Sequence, residues 1–291
     1  MEKIIETLFN GLSSGGTYAM IALGYTMVYG IAKMLNFAHG DIIMVGGYTV
    51  VQFFLLMGQP LVGLAAAIVV CVLLGITIER VAYRPLRGAS PLAVLITAIG
   101  VSYMLQALAQ IIFGSNGKRA QFYNFGTIKI LGAKVDLSTV ITLVCSAIVM
   151  VVLSLFVKYT RTGRAMIAVS EDRGAAELMG ISVNKIIVIT FAIGSALAAV
   201  AGFFMLWKIG SVNPTTGALP GIKAFAAAVI GGIGSLPGAM FGGLLMGVVE
   251  AFSNSNDAIS PYTDAIVFAV LIIILLVRPS GLLGKKRREK V

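Results

Sequence analysis

Asn36, His39 and Asp41 bring an amide, an imidazole and a carboxylate together in Leu35-Asn36-Phe37-Ala38-His39-Gly40-Asp41, inside an otherwise apolar stretch. Groups of these types can pass a proton, hold a polar solute or cap a helix. Gly11 to Met57 is 47 residues, and two membrane-crossing helices of about 20 residues leave only a short connection. The three residues are therefore expected at or just inside the cytoplasmic membrane boundary. A polar break there is tolerated only where it is buried in protein or lines a wet cavity. Two roles fit. One is a capped turn, with Asn36 or Asp41 as the cap and His39 bonded locally. The other is a gate or a piece of a path through the membrane.

A second polar stretch, Lys158 to Lys185, separates two apolar segments. Ser170 can serve as an N-cap, with Glu171 and Asp172 in the first turn, where the helix dipole favours acids. Ala175, Leu178 and Met179 share a face, Ala176 lies beside them, and Gly180 offers a stop. The pattern predicts a helix of roughly ten residues, about 15 Å long. It is either packed on its own bundle or a docking element for a separate cytosolic protein.

Other chemistry is scarce. Gly117-Lys118 is followed by Arg119, and Gly284-Lys285 by Lys286, so neither completes a nucleotide-binding loop. There is no nucleophile elbow or zinc-protease signature, and with one His no multi-His metal site. No catalytic residue, cofactor site or metal site is expected. Cys71 and Cys145 lie within apolar segments and read as packing residues. Few acids fall inside the apolar segments, which weighs against a carrier powered by its own ion coupling.

The elements that must position these residues are membrane helices. Hydrophobic residues make up 58% of the 291-residue chain and charged residues 12%, about half the share of a soluble domain. Spans are predicted at 11–32, 42–57, 61–78, 91–113, 139–157, 186–206, 222–234, 237–252 and 264–277. The seventh is short and Gly-rich, as a half-helix or re-entrant segment would be. The fold class is an all-α integral membrane protein, a single domain of about 8–9 spans. No cleavable signal peptide is expected. The net charge of +10 does not point to nucleic acid, because the basic residues sit in loops and at the C-terminus. Fifteen fall on one side of the alternating loops and seven, Lys223 among them, on the other. The basic side is assigned to the cytoplasm, with the short tail 278–291. Small-residue stripes, chiefly Gly234, Gly238, Gly242, Gly243 and Gly247, predict close helix packing.

Three stretches carry a resemblance to a known family. Gly11 to Tyr48, with its Leu35–Asp41 run, resembles the opening of the LivH-type inner-membrane permeases of branched-chain amino-acid ABC importers. Val229 to Glu250 is similar to the family's Gly-rich late segment, and Arg164 to Ser182 to its coupling loop. Gly174-Ala175-Ala176 and Gly180 keep the spacing of the EAA-x-x-x-G docking loop of ABC importers, but Gly174 replaces the Glu and no I-x-L-P follows. The resemblance implies a multi-pass permease of the bacterial inner membrane that hydrolyses no ATP itself. It implies a second homologous permease subunit, two cytosolic ATPases and an extracytoplasmic substrate-binding protein. Leu, Ile and Val are the first-choice substrates. Permeases for another amino acid, an amide or urea look much the same; a stand-alone carrier or channel and a membrane enzyme are the rival classes.

Overall fold

Proline and short oxygen-bearing side chains mark where the helices begin. Ser90, extended and followed by Pro91, accepts from the Ala93 amide at 3.3 Å and starts one span. Ser235 accepts from the Gly238 amide at 3.2 Å and starts another, with Pro237 in the first turn, where no intrahelical N–H is needed. The computed structural model describes residues 1–120, 126–130 and 132–284. The basic residues at 285–290 lie outside them.

The helices are α1 (Glu2–Ala32), α2 (His39–Met57), α3 (Pro60–Ile78), α4 (Pro91–Phe113), α5 (Leu137–Tyr159), α6 (Arg161–Glu171), α7 (Arg173–Leu178), α8 (Val183–Ile209), α9 (Ala218–Gly231), α10 (Leu236–Asn254) and α11 (Thr263–Val277). A π-helical turn, Glu79–Tyr83, and a 3-10 turn, Arg84–Leu86, extend α3. A further 3-10 turn, Ser260–Tyr262, precedes α11, and the described residues also hold four short strands. They are β1 (Lys118–Arg119), β2 (Thr127–Ile130), β3 (Ala133–Asp136) and β4 (Ser211–Val212). β2 and β3 form an antiparallel hairpin, and β1 pairs antiparallel with β4.

Seven of these elements are long and apolar enough to cross a membrane. α1 is not among them. Its 31 residues are ample, but its Gly, Ser, Thr and Tyr content dilutes the hydropathy. α9 has 14 residues, about 21 Å of helix against a hydrocarbon core of about 30 Å. It matches a half-helix in length and begins earlier than predicted, at Ala218. The protein is an all-α multi-pass membrane protein.

The described residues cluster into two compact units. The first draws on Met1–Thr26, Phe125–Met150 and Lys223–Val291. In it α10 packs by opposite faces on α1 and α9. Gly243 and Gly247 meet Ala19 and Gly15, while Gly238 and Gly242 meet Gly231 and Ala227. The Glu2 side chain lies against Gly132 of the β2–β3 hairpin, so the start of α1 shares an end with that hairpin. The Leu282 and Leu283 amides donate to the carbonyls of Ile230 and Gly231. Residues 280–284 therefore return to the end where α9 stops and α10 starts, opposite the start of α1.

The second unit draws on Met27–Asn124 and Val151–Ile222. There α2, α3 and α8 pack on one another, α4 lies on α2, and α6 and α7 lie on α8. α8 is the most enclosed span, with 67% of its apolar window buried against 11% for the last span. α8 is therefore the core helix of its unit.

Candidate functional site

Lys33 ends α1. It is the one described non-glycine residue with positive φ, at 55°, and its Nζ donates to the Gly30 carbonyl at 2.5 Å. That left-handed turn stops the helix, and the chain runs irregularly to His39, where α2 begins. The N-cap is Ala38, with no side-chain cap. Neither Asn36 nor Asp41 is the N-cap, and both accept from donors far away in sequence. The Tyr83 hydroxyl donates to Asn36 Oδ1 at 2.8 Å, and Gln106 Nε2 donates to Asp41 Oδ1 at 2.9 Å. Asn36, His39 and Asp41 are each only 2% exposed. The capped turn gives way to a buried polar break.

The polar residues do not share one level along the helices of unit 2. Gln106 is fifteen residues into α4, about 22 Å from its start and about 10 Å from its end. Tyr83, Asn36's partner, belongs to the turn that ends the third span and packs on Phe191 of α8. The six residues Asn36 to Asp41 therefore climb from near one end of unit 2 well into its interior. Loop-length arithmetic carries no information about this offset: α1 ends at Ala32 as expected, and α2 begins at His39, three residues before the expected start.

The Lys158–Lys185 stretch folds as two helices. Thr160 caps α6, accepting from the Gly163 amide at 2.9 Å. Ser170 is no N-cap; it lies within α6 and its hydroxyl donates to the Ile167 carbonyl at 2.7 Å. The cap of α7 is Asp172, in extended conformation, accepting from the Ala175 amide at 3.0 Å. Glu171 and Asp172 thus lie at the joint between the helices and not in a first turn. Gly180, at φ 79°, ends the element, its amide bonding the Glu177 carbonyl while the Ile181 amide reaches Ala176. This is the αL stop that favours glycine. On α7 only Ala176 is buried; Ala175 is exposed, Leu178 is 91% exposed and Met179 81%.

α7 is tied down elsewhere. Arg173 Nη2 donates to the Ile31 carbonyl, at the end of α1, at 3.0 Å. Burial, with Arg87 close by, pulls the Arg173 pKa below its ordinary value. Arg87 bonds both Glu79, whose side chain is fully buried, and Asn184 in the first turn of α8.

Of the glycine stripe, Gly238, Gly242, Gly243 and Gly247 lie in α10 as close-packing positions. Gly234 does not: it is an exposed turn residue at φ 95° ahead of the helix. Lys223, counted with the loops from sequence, is buried in α9. Its Nζ lies 2.5 Å from Glu250 Oε1 and 2.6 Å from Asp264 Oδ1, pinning α9 to α10 and α11. Tyr83, Gln106, Arg173 and this ion triad were not among the functional residues expected from sequence. Gln106 and Lys223 could have been found as polar residues inside helical apolar runs. Arg173 could not, since its partner is a backbone carbonyl 142 residues away.

A membrane bundle with a buried polar break, and a short helix presenting apolar side chains outward, has the build of a transport subunit. The sequence matches the family described as branched-chain amino acid transport system, permease component, over residues 7–275. The chain belongs to that family and is a membrane permease component. It is 45% identical to the high-affinity branched-chain amino acid transport system permease protein BraD of Pseudomonas aeruginosa, over 99% of this chain and 98% of that protein. It is 42% identical to the corresponding LivH of Escherichia coli K12, over 99% and 97%. The ribose import permease protein RbsC of Haemophilus influenzae is similar at 27% identity, over 97% and 87%.

Proposed function

We propose that this chain is a permease subunit of an ATP-driven importer in the bacterial cytoplasmic membrane, and that branched-chain amino acids are its substrates. Residues 1–291 serve as one permease domain. It pairs with a second, homologous permease, takes substrate from an extracytoplasmic binding protein and docks two cytosolic ATPases. The observation that carries this is the exposure of Leu178 and Met179 on α7. Two large apolar side chains stand outside the span-length helices, on an element fixed by Asp172 and Arg173. That is the arrangement a partner would cover. The bias of basic residues toward one set of loops supports a cytoplasmic α7 and C-terminus, on the side where the ATPases would be.

The polar break is the candidate gate. Asn36 just ahead of α2, with His39 and Asp41 in its first turn, would offer hydrogen-bonding groups that a zwitterionic solute needs. The substrate class follows the relatives. Identity of 42–45% to permeases named for branched-chain amino acids, against 27% to one named for ribose, favours amino acids over sugars.

The test is uptake in a bacterium stripped of its own high-affinity leucine import, supplied with this chain and its gene neighbours. Saturable leucine uptake that competes with isoleucine and valine, and that is lost when this chain is omitted, supports the proposal. Uptake that competes with ribose, or that persists without ATPase subunits, refutes it.

A further inference from the structure

We infer that Arg173 is a positioning residue that ties the docking helix α7 to the α1–α2 break, so that displacement of α7 reaches Asn36, His39 and Asp41. This rests on reading α7 as the ATPase-docking element.

The last carbonyls of a helix have no intrahelical partner. The Ile31 carbonyl, one residue from the end of α1, is such an acceptor, and Arg173 Nη2 fills it at 3.0 Å. A guanidinium there also suits the negative end of the helix dipole. Arg173 is the first residue of α7, next to its cap Asp172. The contact thus joins the start of the docking helix to the end of α1 directly.

The chain just beyond Ile31 gives the contact its consequence. Lys33 turns left-handed, and no helix runs on into α2. The segment between Ala32 and His39 has no continuous helical hydrogen bonding to hold it, so contacts at its two ends set its position. Arg173 holds one end, at Ile31. Tyr83 holds the other, its hydroxyl on Asn36 Oδ1. Tyr83 ends the π turn Glu79–Tyr83, an irregularity of helix often found at functional sites. Glu79, at the other end of that turn, holds Arg87, which holds Asn184 at the start of α8, directly after the loop that leaves α7. Both ends of the break are thus held from the region of α7.

Arg173 does not share the exposed face of Leu178 and Met179, so docking and transmission separate by mutation. The experiment uses the whole importer in proteoliposomes, with leucine uptake and ATP hydrolysis followed in parallel. In Arg173→Ala the ATPases are expected to co-purify and to hydrolyse ATP. Leucine moved per ATP should fall about tenfold, the scale of one charge-assisted hydrogen bond. Arg173→Lys, whose ammonium can still donate to a carbonyl, should recover most of the ratio. Tyr83→Phe, which removes one hydroxyl and keeps the packing on Phe191, should lower it by a smaller factor. A wild-type ratio in Arg173→Ala overturns the inference. So does loss of the ATPases in that variant, which would make Arg173 part of the docking face, or failure of lysine to outperform alanine. If Arg173→Ala does not accumulate, a wild-type ratio in Tyr83→Phe overturns it. Leu178→Asp run alongside separates the two ideas: ATPases retained there refute the docking role of α7 itself, whatever Arg173 does.

Discussion

Replacing Gly247 by alanine adds one methyl group at the seam between α10 and α1. A Cβ built on Gly247 would lie 2.1 Å from the Gly15 nitrogen, 2.3 Å from its Cα and 2.5 Å from the Gly11 carbonyl oxygen. Ordinary contact for a carbon is about 3.5–4.0 Å, and all three neighbours are backbone, so no side chain can swing aside. The helices must separate by about 1 Å or more, and overpacking of this kind costs about 1–3 kcal/mol. The same Gly→Ala change gains up to about 1 kcal/mol of helix propensity, which would blur the result. Gly100 supplies the control. It lies within α4, its φ is ordinary, and a Cβ there meets nothing within 4 Å. Gly100→Ala gains the propensity without the clash. The difference between the variants isolates the seam at about 1–3 kcal/mol, or about 5- to 160-fold in the folded-to-unfolded ratio. Thermal unfolding in detergent reads it directly, with membrane accumulation as a second measure. Equal midpoints for the two variants would refute the packing account of α10.

Leu178→Asp should leave accumulation and thermal stability unchanged, since the side chain is 91% exposed. If α7 docks the ATPases, the change should weaken their binding by about 1.5–3 kcal/mol per helix from lost apolar burial alone, read by co-purification. Wild-type retention of the ATPases would return α7 to a plain surface helix. A cysteine at Lys129 should label from outside the cell and one at Arg164 only after permeabilisation; the reverse pattern would invert every sidedness given above. His39→Leu should insert normally and impair leucine uptake. Unchanged uptake would remove His39 from the gate while leaving Asn36 and Asp41 to be tested.

Where the chain alone was informative, the reason is local chemistry. Pro91–Phe113 was legible to the residue because Ser90 caps it, proline opens it and Gly114, at φ 84°, closes it. The short length of α9 followed from its small apolar run. The start of α7 was misread because Ser170 and Asp172 are both good N-cap residues two positions apart. Only the extended backbone at Asp172 decides between them, and Ser170 is left to bond back into α6. Gly234 fits an i, i+4 stripe by spacing, yet its left-handed backbone places it in a turn. Asn36, His39 and Asp41 were visible as a polar group, but the depth of the break was not. Depth depends on partners such as Tyr83 and Gln106, which lie 47 and 65 residues away in sequence. Long-range hydrogen bonds of this kind leave no periodicity to read.

The central claim is that this chain moves branched-chain amino acids only when ATPases drive it from α7. Proteoliposomes holding the chain, its partner permease and the two ATPases, with binding protein on the substrate side, test it directly. Leucine should accumulate against its gradient when ATP is supplied to the ATPase face. Accumulation should cease when ATP is replaced by a non-hydrolysable analogue, or when Leu178→Asp replaces the wild-type chain. Leucine accumulation that proceeds without ATP, or undiminished with Leu178→Asp, would contradict the account.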